Sequence, residues 1–188
     1  MRIVFTGKMR SGKDTAAEYL VDKYGGKILK FADPLYQMQV AIYKIAGLTP
    51  QKDRKLLQFL GTDWGRDKDP DLWVKIMERT LSIYNNNEET QLKGEGLFLT
   101  PPINLFITDA RFSNELDCMR YQNFALVRII RNEQDRVDAG ATNLTHESET
   151  SLDEFSGFDY TIDNNGTLEE FLEKIDEIYH NVKFRDMA

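Results

Sequence analysis

Nine residues near the N-terminus combine the types that bind phosphate: Gly7-Lys8-Met9-Arg10-Ser11-Gly12-Lys13-Asp14-Thr15. Their spacing fits G-x-x-x-x-G-K. Glycines at positions 7 and 12 permit the tight turn that points successive backbone N–H groups at an anion. A helix starting there adds the partial positive charge of its N-terminus. Lys13 has the reach for the β- and γ-phosphates of a nucleotide, and Arg10 and Ser11 lie in the loop that would cradle them. Asp14 stands where Ser or Thr usually offers a hydroxyl to Mg²⁺. A carboxylate can ligate that ion or hold one of its waters, since Mg²⁺ takes oxygen ligands and keeps several waters. Thr15 can supply the hydroxyl from one position further on.

Such a loop works only between a strand and a helix. The apolar run Ile3-Val4-Phe5-Thr6 supplies the strand. Ala17, Leu20, Val21 and Tyr24, at i, i+3, i+4 and i+7, predict a helix over 15–24. Gly25-Gly26 ends it. Further strands are expected at 27–31, 103–108, 124–130 and 160–163. Leu35, Met38, Ile42 and Ile45 predict a helix up to Gly47. Thr49-Pro50 reads as N-cap and first turn of a helix carrying Leu56, Leu57 and Leu60. Asp69-Pro70 starts another in the same way, through Trp73, Met77 and Leu81. The polar stretch 85–96 reads as a surface excursion. Leu116 and Met119 mark a helix, and Thr167-x-x-Glu170 is a capping box before a last one. Strands alternating with helices predict an α/β fold, a parallel sheet covered on both faces.

Ligands of such sheets bind beyond the carboxyl ends of the strands. Asp109 follows a strand there and could hold Mg²⁺ or its waters, or cap a helix. Arg111 could grip a phosphate bidentately or pair with Glu115. Asp33 could position an acceptor or a metal water, or serve a plain turn. Arg10, Arg54, Arg66, Arg111, Arg131 and Arg136 sit at ligand-facing places, and two or three of them should contact phosphates. Arg131 and Arg136 begin a charged stretch, 131–156, poor in apolar residues, which reads as a mobile lid that brings positive charge to the reaction and excludes water. His146 to Glu149 invites a metal reading. With two histidines in the chain, a substrate contact or helix start fits better. Trp64 and Trp73 could stack on a base or fill a core.

Composition narrows the class. A chain of 188 residues is expected to form one domain with a full core. Its formal charge of −7 disfavours coating nucleic acid. One cysteine, Cys118, excludes an internal disulfide and a cysteine-rich metal cluster. No apolar run approaches the ~20 residues of a membrane span, and Met1-Arg2-Ile3 leads straight into a strand without a signal peptide. A cytoplasmic setting is expected.

Four blocks carry a resemblance: Gly7 to Thr15; Phe31-Ala-Asp-Pro-Leu35; Leu57-Gln-Phe-Leu-Gly-Thr-Asp-Trp-Gly-Arg66 with Asp71-Leu-Trp-Val74; and Ile107-Thr-Asp-Ala-Arg-Phe-Ser-Asn-Glu115. Together they resemble the deoxynucleoside monophosphate kinases of tailed bacteriophages. The resemblance implies a P-loop NTPase fold with a five-stranded parallel sheet. It implies one kinase domain over 1–188, with a helical acceptor-binding region at about 33–100 and a lid at 131–156. The implied reaction moves the ATP γ-phosphate to a deoxynucleoside monophosphate. Gly7, Gly12, Lys13, Asp14 and Thr15 would take ATP and Mg²⁺. Asp33, Arg54, Arg66 and Arg111 would lie on the acceptor side; Trp64, His146 and Glu149 are expected, from the residues alone, as further substrate contacts. Asn164-Asn165 resembles the adenine-side turn of small kinases such as dephospho-CoA kinase. The implied partners are small nucleotides, without nucleic acid or membrane, in a host cytoplasm if phage-encoded; a homodimer is allowed. Rival readings are a kinase of the dephospho-CoA or phosphomevalonate type, or a nucleotide-binding regulator without turnover. A hydroxyl acceptor would need a base, for which Asp33 is the candidate.

Overall fold

The computed structural model describes residues 1–93, 103–141 and 150–187. The chain divides into two compact units: Met1–Leu29 together with Thr100–Ala188, and Lys30–Leu99.

The first unit holds one parallel sheet in the order β2-β3-β1-β4-β5. Its strands are β1 (Arg2–Thr6), β2 (Lys27–Leu29), β3 (Leu105–Ile107), β4 (Ala125–Ile130) and β5 (Tyr160–Asp163). β1 is central because it is apolar on both faces, as a strand covered on both sides must be. Val4 lies opposite Ile107 and Leu126, and Thr6 opposite Arg128. The order reverses at β1, so the crevice for a ligand opens at its carboxyl end. Ile3, Phe5, Phe106, Val127 and Ile129 face one way. They pack with Ala17 and Leu20 of helix α1 (Lys13–Tyr24) and with Phe171, Ile175 and Val182 of the last helix, α7 (Leu168–Met187). On β4 packs helix α5 (Ser113–Tyr121), with Leu116 and Met119 fully buried. The expected capping box is present: the Thr167 N–H donates to Glu170 Oε2 at 2.9 Å, and the Glu170 N–H to Thr167 Oγ1 at 3.2 Å.

A polar cluster ties α1 to α7. The ring of Tyr24 stacks on Tyr179 at 3.8 Å. The Asp176 carboxylate accepts from the hydroxyls of Tyr19 at 2.9 Å and Tyr24 at 3.1 Å, and from the Lys23 ammonium. Burial works against ionisation of Asp176, but the hydrogen bonds from Lys23, Tyr19 and Tyr24 outweigh it and hold its carboxyl below the usual range. The bond to Asp176 raises Lys23 in turn. A lowered acid stabilises the fold above its unfolded value, about 3.9, and that contribution disappears as pH falls through the folded value. Lys23 acts at the other limit: its contribution holds below about 10.4 and is lost as pH rises through its raised value. Asp176→Asn should therefore melt below the wild type at pH 7, and the two melting curves should converge as the pH is lowered towards 2. Parallel curves would show that the charge of the carboxylate has no part.

The second unit is helical: α2 (Asp33–Ile45), α3 (Arg54–Gln58), a π-helix (Phe59–Arg66) and α4 (Leu72–Lys93). Thr49-Pro50 does not start α3. Asp53 does, accepting from the Leu56 N–H at 3.1 Å. Buried Gln39 fixes it by bonding the Gln51 carbonyl and the Asp53 N–H, and the Tyr43 hydroxyl donates to its carboxylate. Asp69-Pro70 forms a turn rather than the first helical residues; the Asp69 carboxylate accepts the Asp71 N–H at 3.0 Å, and α4 opens at Leu72. The expected excursion over 85–96 is instead helix as far as Lys93. Trp73 belongs to the core: it is buried, and its indole N–H donates to the Gly61 carbonyl at 2.8 Å. Gly65 has no Cβ because the Trp73 ring lies against it. Among the described residues no helix is long and apolar enough to cross a membrane.

Candidate active site

The loop between β1 and α1 is set by two glycines and one strained residue. Gly7 has φ +141° and Gly12 φ +112°, conformations open to glycine. Arg10 adopts φ +64° without being glycine. The Ser11 N–H closes the turn onto the Lys8 carbonyl at 3.1 Å. Lys13, the first residue of α1, is buried and donates to the carbonyls of Gly7 at 2.6 Å and Lys8 at 2.8 Å. Its ammonium thus bonds within the loop, at the start of α1, where backbone N–H groups and the helix dipole favour an anion.

Asn164 braces this loop. Its amide donates to the Ser11 carbonyl at 2.8 Å, and a Cβ on Gly12 would lie 2.6 Å from the same nitrogen. Asn165 accepts the Asn132 N–H at 2.7 Å and ties the end of β5 to the segment after β4. Asn164→Ala removes one net hydrogen bond, about 1 kcal/mol, so ADP should bind about fivefold more weakly in a titration. Unchanged ADP affinity with a lower melting temperature would assign the bond to folding alone.

A cavity opens beyond the carboxyl ends of β1, β3 and β4. Gly7, Lys8 and Ser11 of the loop line one side, and Ala110 and Arg111 another. Arg128, Arg131, Arg136 and Asp153 complete its charged lining. Among the described residues, five cations against one carboxylate make a local positive site in a chain of net charge −7. Glu115, the alternative partner of Arg111, is buried and accepts the backbone N–H groups of Arg111 at 2.7 Å and Phe112 at 3.2 Å. Arg131 reaches the loop, donating to the Arg10 carbonyl at 3.4 Å. Arg136 lies on α6 (Glu133–Asp138) and is only 4% exposed. The stretch beginning at Arg131 therefore holds a packed helix and a buried guanidinium. Among the described residues, the Nε and Nη1 of Arg136, like Ser11 Oγ, are buried without a hydrogen-bond partner.

Asp14 accepts from the Thr108 hydroxyl at 2.8 Å. That bond joins the first turn of α1 to the end of β3, where Asp109 follows. A carboxylate beside the phosphate loop is an oxygen ligand of the kind Mg²⁺ takes, since that ion needs one or two carboxylates when substrate phosphates supply the rest. Among the described residues no group of three or more His, Cys, Asp or Glu could hold a metal alone.

Asp33, Arg54, Trp64 and Arg66 belong to the second unit. There Asp33 accepts the Lys30 N–H at 3.2 Å, a turn contact, and Arg66 donates to the Pro70 carbonyl at 3.3 Å. Trp64 is 38% exposed on the π-helix. His146 and Glu149 lie outside the described residues. Sequence reasoning missed Lys8, Arg128 and Asp153 as lining residues. Arg128 carried a signal, since it is the one charge in the apolar strand Ala125–Ile130.

Comparison with known proteins agrees with this geometry. The family model of deoxynucleotide monophosphate kinases matches residues 49–175, more than half of the chain. A protein of Acanthamoeba polyphaga mimivirus, provisionally assigned as a deoxynucleotide monophosphate kinase, is 30% identical over 185 residues, covering 90% of this chain and 91% of its own. A sugar kinase from Janibacter sp. HTCC2649 superposes with TM-score 0.54 at 15% identity, over 92% of this chain and 90% of that one. A dephospho-CoA kinase from Campylobacter jejuni gives 0.51 at 16%, over 96% of each. At such identities the two structures establish the P-loop kinase fold and nothing finer. Fold, loop and family model lead to one conclusion: this chain is a kinase of the deoxynucleotide monophosphate kinase family.

Proposed function

We propose that the protein transfers the γ-phosphoryl group of ATP to a deoxynucleoside 5′-monophosphate, giving the diphosphate and ADP, with Mg²⁺ as cofactor. The observation that carries this reading is the cavity's lining: arginines 111, 128, 131 and 136 meet the phosphate loop at one place. Such a surplus of cations suits two phosphate-bearing substrates at once.

The acceptor phosphate is largely doubly ionised at pH 7, its second pKa being about 6, and needs no strong base. What remains is to hold two anions together and to neutralise charge as it moves. Lys13 and the loop N–H groups hold the donor phosphates. Arg111, Arg131 and Arg136 steady the transferring group and the acceptor. Asp14, Thr15 and Asp109 are the residues to hold Mg²⁺, which supplies charge neutralisation on the donor phosphates. Asp33, Arg54 and Arg66 are assigned to acceptor binding by the family resemblance, and Trp64, His146 and Glu149 by their residue types as further substrate contacts.

The test is ADP release from ATP and Mg²⁺ with each common deoxynucleoside monophosphate, its ribose form, and dephospho-CoA. Turnover with one or more deoxynucleotides and little with dephospho-CoA is expected. Turnover with dephospho-CoA alone, or with no acceptor, overturns the assignment.

A further inference from the structure

β4 reads Ala125-Leu126-Val127-Arg128-Ile129-Ile130, apolar except for one arginine. Arg128 is held on three sides. Its Cα lies opposite Thr6, the last residue before the phosphate loop. Its guanidinium sits over the ring of Phe158, 5.3 Å from the centroid. Its Nη2 is 3.9 Å from Asp153 Oδ1. The other oxygen of Asp153 accepts from the Lys8 ammonium at 3.1 Å. One carboxylate thus bridges a loop lysine and a strand arginine inside a cavity whose deepest cation, Arg136, has two buried nitrogens without an acceptor.

A carboxylate and a phosphoryl group present oxygens to the same guanidinium fork. We propose that Arg128 binds phosphoryl oxygens in this cavity, and that Asp153 is the internal carboxylate which a bound phosphoryl group displaces from Arg128 and Lys8. The exchange is easy because both ion pairs are partly exposed, with side chains 29% to 42% accessible, and pairs of this kind hold weakly. The ligand class is a phosphomonoester or polyphosphate. The proposal rests on the cavity being a phosphoryl site, as the kinase reading holds, and concerns binding rather than turnover.

The experiment is calorimetric titration of the full chain with inorganic pyrophosphate. Asp153→Asn is expected to tighten binding about threefold to fivefold, the change that follows from removing one competing surface charge. Arg128→Gln is expected to weaken it about tenfold or more, with Arg128→Lys in between. In the Arg128→Gln background Asp153→Asn should gain less, since Lys8 alone is then released. Equal or weaker binding by Asp153→Asn overturns the displacement, because a carboxylate that merely organised the cavity would loosen it when removed. Unchanged binding by Arg128→Gln overturns the arginine's role. If that variant does not fold, the Asp153→Asn arm decides. Pyrophosphate binding that follows this pattern, in a protein that turns over no deoxynucleotide, would refute the kinase reading and leave the present one standing.

Discussion

Lys13→Met is expected to lower phosphotransfer by roughly a hundred- to a thousandfold, the usual effect of removing one preorganised charge from a transition state. The fold should survive. Lys13 is buried at the mouth of the loop, and methionine follows much of its stem. What disappears is the ammonium, with its bonds to the carbonyls of Gly7 and Lys8. Both carbonyls belong to half-buried residues, so water can take over part of the lost bonding. A variant with near-native circular dichroism, a small change in melting temperature and almost no ADP release separates the chemical role from the structural one. Full activity would sink the assignment of the loop. A variant that fails to fold would place Lys13 in the architecture instead.

Much of the first unit was legible because its signals are local. A strand covered on both faces must be largely apolar, as Ile3 to Phe5 of β1 and all of β4 but Arg128 are. A phosphate loop is a run of nine residues. The errors arose where a local signal met a tertiary competitor. Thr49-Pro50 is a sound helix start in isolation, but Gln39 and Tyr43 fix Asp53 in the capping role. Polarity was mistaken for irregularity over 85–93, where α4 runs on. Glu, Gln, Lys and Leu are strong helix formers, and a polar composition indicates an exposed face as readily as a loop.

The cavity was only half legible. Arg111 and Arg131 follow strands and could be found by position along the chain. Lys8 and Arg128 could not, because their meeting depends on register. Only when Thr6 stands opposite Arg128 does a strand residue reach the phosphate loop. Asp153 required, further, that a distant segment return to that place: the Ser151 hydroxyl donates to the Arg111 carbonyl, which seats Leu152 and Asp153 at the rim. The roles of Asp33, Arg54, Trp64 and Arg66 rest on resemblance, since no local chemistry distinguishes a ligand arginine from a solvated one.

Arg136 supports the second large prediction, because stability and activity should move apart there. Its guanidinium is 4% exposed, with Nε and Nη1 unpartnered. Its ion pair is to Glu133, at 3.7 Å, and the Glu133 side chain is 74% exposed. Removing the arginine therefore leaves no buried orphan charge, the circumstance that makes broken buried pairs costly. Keeping it means burying a cation with too few acceptors, which disfavours the fold unless an anion arrives. Arg136→Met preserves the apolar length of the side chain and discards the charge. Its melting temperature should equal or exceed that of the wild type, while phosphotransfer falls about a hundredfold or more. Pyrophosphate should raise the melting temperature of the wild type and do so less in the variant, as binding to the folded state alone requires. Arg136→Lys should not restore full activity, since an ammonium cannot reproduce the planar fork. A variant that melts many degrees lower and responds to pyrophosphate as the wild type does would show a structural arginine. A stable variant with the anion response lost would place Arg136 where the transferring phosphoryl group binds.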